Sequence, residues 1–195
     1  MGFTDPVTLR GKHVTLEPLA HEHRDGLALA TADGELWKLW YTPTVRPEQM
    51  ETEIERRLQR QQNGDMLPFA VRRNDTGALC GMTTYMNIDA ANRRVEIGST
   101  WHAKSAQRTG INTESKLMLL THAFEKLDCI SVQFQTNFMN LQSRNAIARL
   151  GAKQDGILRN HGITADGVLR DTVVFSIIVS EWPTVRRHLQ HKLDR

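Results

Sequence analysis

The sequence predicts a mixed α/β fold with one central sheet, antiparallel strands towards the N-terminus and one β-α-β crossover. Two strand-like runs, 68–73 and 78–85, flank an Asn-Asp-Thr-Gly turn at 74–77, which predicts an antiparallel hairpin. A third run, 92–101, is followed by a turn with a glycine and then by an amphipathic helix at 113–127. Another strand-like run follows this helix, and a strand that returns through a helix pairs in parallel.

The other elements follow from apolar periodicity and from residues that begin or end helices. Alternating apolar and polar residues predict the first strand at 12–19. Pro47 suits the first turn of a helix and Asn63-Gly64 suits its end, so we expect a helix at 47–62. Further helices are expected at 21–30, 33–40, 140–150 and 181–193. Further strands are expected at 129–136, 152–159 and 172–179, with a turn at 165–167.

The charge balance limits the classes of partner. The net charge is +3 and the sequence pI is about 9.1, which suits an anionic ligand. No run of lysine and arginine reaches five residues, so we expect no nucleic-acid partner. The longest apolar stretch, 173–179, is far too short to span a bilayer, so we expect no membrane association.

Cysteine and histidine spacing indicates neither a disulfide nor a metal site. Cys80 and Cys129 each lie in an apolar run, so both are expected to be buried free thiols. Free thiols fit a reducing compartment, which makes the cytoplasm the expected location. The histidines of the His21-Glu22-His23 trio are two residues apart and do not share a helix face, so we expect no metal.

The stretch Gln107–Asn112 carries the strongest chemical signal. It lies between the strand at 92–101 and the helix at 113–127. The first N–H groups of a helix lack partners within the helix, and the helix dipole places a partial positive charge there. A strand, a glycine-containing turn and a helix N-terminus therefore predict a site for a phosphate group.

The same stretch resembles the phosphate loop of the GCN5-related N-acetyltransferase (GNAT) family. Gln107 and Gly110 match the family pattern Gln/Arg-x-x-Gly-x-Gly/Ala, while Asn112 stands at its final small position. The segment from Asn140 to Ser143 is similar to the family's Asn-x-x-Ser helix, and Leu150-Gly151 to the end of that helix. The resemblance covers about residues 8–182 and implies an acyl-CoA N-acyltransferase fold that binds acetyl-coenzyme A. We expect residues 1–195 to form a single domain of this type.

A third match points to one branch of the family. Glu96-Ile97-Gly98 is similar to a strand of the RimJ/RimL-type branch, which acetylates protein N-termini. This resemblance implies transfer of an acetyl group from acetyl-coenzyme A to a primary amine, favouring the α-amine of a protein or peptide. The amine would attack directly in a ternary complex. A small-molecule amine and a non-catalytic acyl-coenzyme A module are the alternatives. The resemblance also implies a homodimer.

The family pattern implies which residues hold the cofactor. These residues lie in the strand, the loop and the later helix, namely Ser99, Thr100, Trp101, His102, Gln107, Arg108, Thr109, Gly110, Ile111, Asn112, Thr113, Asn140 and Ser143. Three of them have simpler readings. Thr109 could cap an ordinary helix, Trp101 could be a core residue, and Asn140 could cap its own helix.

Two residues are candidates for the proton transfers. Glu96 is the expected base, acting directly or through water, and partial burial would raise its pKa. Its alternatives are an exposed strand carboxylate or a salt bridge with Arg93 or Arg94. Ser143 or a water molecule is expected to protonate the thiolate, because Ile147 stands where many relatives have a tyrosine.

The residues expected around the acceptor amine are Trp37, Tyr41 and His161. Trp37 lies with Trp40 between the early helices, where relatives shape the substrate groove, although this i, i+3 pair could equally be core. His161 lies in the region expected to be a loop between the last two strands.

Overall fold

The computed structural model describes residues 2–42, 44–164 and 166–194, and within them eight strands form one sheet. The strands are β1 (Leu9–Arg10), β2 (Val14–Pro18), β3 (Met66–Arg73), β4 (Leu79–Asp89), β5 (Arg94–His102), β6 (Ser131–Asn137), β7 (Lys153–Ile163) and β8 (Leu169–Ile178). The α-helices are α1 (Arg24–Ala32), α2 (Met50–Gln62), α3 (Ile111–Glu125), α4 (Leu141–Ala148) and α5 (Trp182–Leu193).

The sheet has the mixed topology that the sequence predicts. Its strand order is β1-β2-β3-β4-β5-β6-β8-β7. Strands β5 and β6 pair in parallel, and α3 makes the crossover between them. The other neighbouring pairs are antiparallel. The prediction of antiparallel N-terminal strands followed by one β-α-β unit is therefore confirmed.

The predicted helix at 33–40 is wrong. Only a short 3₁₀ turn, Leu36–Lys38, forms there. Gly34 and Glu35 have φ angles of 94° and 47°, and residues in this left-handed region cannot continue a right-handed helix. The predicted helices at 21–30 and 47–62 are present, but each begins with a 3₁₀ turn, His21–His23 and Pro47–Gln49.

The strands at both ends of the sheet also differ from expectation. The backbone N–H groups of Lys12, His13 and Val14 donate to the carboxylate of Glu114, so the predicted strand at 12–19 begins at Val14. At the other end, β7 and β8 are longer than predicted because Gly162 and Ile163 still pair across the hairpin. The expected turn at 165–167 includes residue 165, which lies outside the described residues.

The main core lies between the sheet and the helices that cover it. Phe69 and Tyr85 of the sheet are fully buried, and the Tyr85 hydroxyl donates to the backbone carbonyl of Leu119 in α3. The two cysteines, Cys80 and Cys129, are buried free thiols as predicted, and burial raises the pKa of each to about 11. No helix within the described ranges has both the length and the apolar character needed to cross a membrane.

Candidate functional site

Strands β5 and β6 separate after the first three residues of each strand. They pair only where Arg94, Val95 and Glu96 face Ser131, Val132 and Gln133. Both strands continue beyond this point, β5 to His102 and β6 to Asn137, without further pairing to each other. This divergence leaves an opening in the sheet, and the segment 97–102 forms one side of it. Backbone groups on that side can pair with an extended ligand instead of a strand.

A β-bulge distorts β5 inside this segment. Met82 faces Trp101 and Thr84 faces Gly98, so Ser99 and Thr100 together stand opposite the single residue between Met82 and Thr84. Ser99 has a φ angle of 46°, which is uncommon for a serine and must be held by its surroundings. A bulge redirects the peptide groups of a strand, so this one sets where the amides of the opening point.

Glu96 lies where the opening begins, because it is the last residue of β5 that pairs with β6. The residue is 5% exposed, and burial raises the pKa of its carboxyl group. The carboxylate lies over Gly98, since a Cβ placed there would come within 2.9 Å of Oε1. The absence of a side chain at Gly98 therefore leaves the space that the carboxylate occupies.

Both alternative interpretations of Glu96, an exposed carboxylate and a salt bridge with a neighbouring arginine, are wrong. It is buried rather than exposed. Arg93 pairs with Asp128 and Arg94 with Asp89, so neither neutralises Glu96.

The loop after β5 ends in a helix N-terminus, as predicted. Helix α3 begins at Ile111, two residues earlier than expected, so Asn112 and Thr113 belong to its first turn. The hydroxyl of Thr109 accepts a hydrogen bond from the Ile111 N–H at 3.3 Å, which gives one of the first N–H groups of the helix a partner. The N–H groups of Gly110, Asn112 and Thr113 meet no acceptor in the part of the chain that the structure describes. This set of donors fits a pyrophosphate.

The side chains of the loop are held in place by neighbouring residues. Gln107 Nε2 donates to the backbone carbonyl of His102 at 3.1 Å. Asn112 Oδ1 lies 3.3 Å from Nε2 of His102, so this amide is turned towards the end of β5. Arg108 has a φ angle of 60° in the loop. Asn112, the unusual residue of the family pattern, thus has a partner within the chain.

Helix α4 begins on the other side of the opening. Asn140 Oδ1 accepts a hydrogen bond from the Ser143 N–H at 3.0 Å, so Asn140 caps the helix. Gln142 Nε2 lies 3.5 Å from Oε1 of Gln107, which places the start of α4 beside the phosphate loop. The Ser143 hydroxyl, in a half-buried side chain, makes no hydrogen bond within the described residues.

Residues 13–153 match the family described as the acetyltransferase (GNAT) domain. This range is more than half of the 195-residue chain. The chain belongs to the GNAT acetyltransferase family. The structure of a GCN5-related N-acetyltransferase from Brucella melitensis is 30% identical, with a TM-score of 0.86 over 97% of this chain and 86% of that one.

Two further relatives carry names from the ribosomal acetyltransferase branch that the sequence resemblance implied. A Bacillus subtilis (strain 168) protein, provisionally named ribosomal N-acetyltransferase YdaF, is 37% identical over 106 residues. That match covers 54% of this chain and 57% of YdaF, so the chain spans little more than half of this curated relative. Mycobacterium smegmatis RimJ in complex with CoA-disulfide is 22% identical, with a TM-score of 0.83 over 98% and 97% of the two chains, and shows the shared fold.

The residues of this GNAT chain predicted to hold the cofactor lie in three neighbouring segments. They are the part of β5 that is unpaired with β6, the loop with the first turn of α3, and the start of α4. The side chain of Trp101 is 8% exposed and packs in the main core, so only its backbone lies along the opening. The side chain of His102 is also buried, and burial lowers its pKa to about 4.

The residues predicted around the acceptor lie on separate elements, Trp37 in an early 3₁₀ turn and His161 on β7. Trp40 is 56% exposed, so the interpretation of the tryptophan pair as core residues is wrong for Trp40. Its ring packs edge to face on the ring of Tyr41, with the two ring centroids 5.5 Å apart. Trp37 is half-buried in the 3₁₀ turn. His161 lies on β7 rather than in a loop, with Nδ1 3.2 Å from the Thr172 hydroxyl.

Three residues near the opening were not expected from the sequence. Asn87 donates to Glu96, Arg57 binds the Ser99 carbonyl, and Lys116 binds the Thr100 hydroxyl. Lys116 had a recognisable signal, since it occupies the buried side of α3, three and four residues before Leu119 and Leu120. A lysine at such a position is costly to bury and is therefore a candidate for a specific role.

Proposed function

We propose that this protein transfers an acetyl group from acetyl-coenzyme A to the α-amine of a protein or peptide, by direct attack in a ternary complex. The observation that carries the proposal is the buried carboxylate of Glu96 at the point where β5 and β6 separate. Burial raises its pKa, and a carboxylate with a raised pKa accepts a proton from an ammonium group more readily.

The proposed roles follow the geometry of the opening. Acetyl-coenzyme A supplies the acetyl thioester. The N–H groups of Gly110, Asn112 and Thr113 bind its pyrophosphate, with the dipole of α3 adding a partial positive charge. The backbone of the β5 segment from Ser99 to His102 pairs with the pantetheine arm and donates to the thioester carbonyl.

Two side chains carry the proton transfers in this proposal. Glu96 takes a proton from the acceptor amine, directly or through one water molecule. Ser143, with its hydroxyl unbound within the described residues, or a water molecule returns a proton to the leaving thiolate. Trp37, Tyr41 and His161 are proposed to line the path of the acceptor.

The proposed acceptor class is supported by the names of related proteins as well as by the geometry of the site. YdaF is named for a ribosomal substrate, and RimJ shares the fold of this chain. A small-molecule amine remains the competing acceptor. A non-catalytic acyl-coenzyme A module is the competing function, and the buried carboxylate beside the opening favours catalysis over it.

The experiment that tests the proposal follows free thiol released from acetyl-coenzyme A by the purified protein. The acceptors are peptides with a free N-terminus, the same peptides with a blocked N-terminus, and small amines. We expect release with the free peptides only, and mass spectrometry should locate the acetyl group on the α-amine. Release with small amines only would contradict the acceptor class. Binding of coenzyme A without release from any acceptor would favour the binding module.

We also propose a single domain over residues 1–195, a cytoplasmic location and a homodimer. β7 is an edge strand that leaves Ile157, Leu158 and Ile163 exposed, and an uncovered apolar edge strand favours pairing with another chain. Light scattering at micromolar concentration should give twice the 22.2 kDa mass of the chain. A monomeric mass would contradict the dimer without affecting the proposed chemistry.

A further inference from the structure

Two buried basic side chains hold the β5 bulge from two different helices. On one side, α2 contributes Arg57, whose Nη1 and Nη2 each lie 3.3 Å from the carbonyl oxygen of Ser99. Its Nη1 also donates to the Thr84 hydroxyl at 2.8 Å, so Arg57 links β4 to β5 at the bulge. Glu53 accepts from Arg57 Nε at 2.6 Å and balances the charge of the buried guanidinium.

Lys116 of α3 makes the second link. Its Nζ donates to the hydroxyl of Thr100 at 2.8 Å and to that of Thr83 at 3.1 Å. These two threonines lie next to the pair that Arg57 holds, again one on β4 and one on β5. Lys116 is 5% exposed and has no carboxylate partner within the described ranges. Burial lowers its pKa to about 7.

The hydrogen bonds from Arg57 constrain an amide of the opening. In a trans peptide the carbonyl and the N–H point in opposite directions, and the described residues contain no cis peptide bond. The Thr100 N–H therefore points away from Arg57 whenever the Ser99 carbonyl is bound. A cation on the carbonyl also polarises the peptide group, which makes its N–H a stronger donor.

We propose that Arg57 and Lys116 are positioning residues that fix the Ser99–Thr100 peptide as a donor for the thioester carbonyl. This inference rests on the proposed acetyl transfer. Such a donor stabilises the negative charge that develops on the carbonyl oxygen during attack, and it works best when its direction is set before the reaction. Holding the bulge from both α2 and α3 would set that direction, because Arg57 of α2 binds Ser99 and Lys116 of α3 binds Thr100.

The test compares Arg57→Met and Lys116→Met with two matched controls. Arg56→Met removes a neighbouring arginine that also binds Glu53 but does not touch the bulge, and Lys126→Met removes an exposed lysine just beyond α3. We expect kcat to fall about 100-fold in each bulge variant, as for a displaced oxyanion donor. The Kd for coenzyme A should change less than about 3-fold, because the donors of α3 stay in place. The controls should resemble the wild type.

Two further measurements separate positioning from general structural support. Arg57→Lys should recover part of kcat, since a lysine restores the charge without the two parallel bonds. The ¹⁵N–¹H resonance of Thr100 in the free protein should shift in Arg57→Met and stay unchanged in Arg56→Met. Thr100→Val removes the acceptor on the bulge, one of the two acceptors of Lys116, with little change in volume, and it serves if Lys116→Met does not fold.

The outcomes distinguish this inference from the proposed function. Folded bulge variants with wild-type kcat, or an unshifted Thr100 resonance, would overturn the inference while leaving acetyl transfer intact. A wild-type protein that releases no thiol from acetyl-coenzyme A would overturn the proposed function. In that case the Thr100 resonance still decides whether Arg57 sets the conformation of the bulge.

Discussion

Asn87 Nδ2 donates a hydrogen bond to Glu96 Oε2 at 2.8 Å. Burial raises the pKa of Glu96, and this hydrogen bond opposes that shift because it favours the charged form. The charges of Arg170 and Arg60 act in the same direction as the hydrogen bond. Glu96 is thus a buried carboxyl group whose pKa stays raised despite partners that favour ionisation.

We expect Glu96→Gln to lower kcat/KM by about 10²–10⁴, the usual contribution of a general base. A base acts only when deprotonated, so wild-type kcat/KM should rise with pH along a limb whose midpoint lies above the usual glutamate pKa of 4.5.

Asn87→Ala should move the midpoint of this limb to higher pH, because the substitution removes a hydrogen bond that favours the charged carboxylate of Glu96. Initial rates from pH 5 to 9 measure both effects. Glu55→Gln, at an exposed position of α2, is the control, and an unchanged limb in Glu96→Gln would exclude this role.

Gly98→Ala should lower activity more than stability. The added Cβ would approach Glu96 Oε1 to 2.9 Å and Met86 Sδ to 2.7 Å, and both are ends of flexible side chains that can move. The carboxylate is therefore displaced while the backbone stays in place. We expect kcat to fall at least about 10-fold with a loss of stability below about 1.5 kcal/mol. Steady-state kinetics and urea unfolding on the same preparation test this, and full activity would show that the carboxylate position is unimportant.

Gly81→Ala should act in the opposite way, through stability. A Cβ at Gly81 would lie 2.1 Å from the backbone carbonyl oxygen of Trp101, and a backbone atom cannot move aside without shifting β5. We expect a loss of about 2–4 kcal/mol in the free energy of unfolding. Gly156→Ala is the matched control in another strand, with no atom within 4 Å of the added Cβ. Equal midpoints of urea unfolding for the two variants would contradict this prediction.

Lys116 should make the stability of the protein depend on pH. Burial lowers the pKa of Lys116 from 10.5 to about 7, so between these values the unfolded chain binds a proton that the folded protein does not. The contribution of Lys116 to wild-type stability should therefore fall as pH decreases from 10.5 to 7, by at most ~5 kcal/mol, and level off below pH 7.

Lys116→Met lacks this titration and is the comparison. Its stability relative to the wild type should increase as pH falls from about 10 to 7. Urea unfolding at several pH values measures the difference, and a difference independent of pH would contradict it. His102 contacts the same region, and burial lowers its pKa to about 4, so its own titration lies below this window.

Asn140 offers a test that separates capping from cofactor binding. Its side chain caps α4 by accepting from Ser143, and Asn140→Ala should cost about 1 kcal/mol of stability. Serine is also a good cap, so Asn140→Ser should retain most of that stability. If Asn140 also binds the pantetheine arm, Asn140→Ser should still weaken coenzyme A binding, by about 5- to 20-fold for one lost hydrogen bond. Calorimetry measures this, and unchanged affinity in Asn140→Ser would leave capping as its role.

Most of the fold followed from local patterns, and the errors have local causes too. The helix at 33–40 failed because Gly34 and Glu35 adopt left-handed angles, which apolar spacing does not reveal. The strand at 12–19 began late because a distant carboxylate, Glu114, takes the N–H groups that precede Val14. The loop assigned to His161 became part of β7, because pairing across the hairpin extended the strand.

The candidate site also combines features with local causes and features that depend on distant residues. The order of strands and helices, the phosphate loop and the likeness to GNAT proteins follow from the amino-acid sequence alone, because periodicity and short motifs are properties of neighbouring residues. The surroundings of Glu96 and the hydrogen bonds that hold the bulge form only in the folded chain. Arg57 lies 42 residues from Ser99, and Lys116 lies 33 from Thr83. Burial and hydrogen bonding between such distant residues arise when the sheet and helices pack, and they set the pKa values and amide directions on which the chemistry depends.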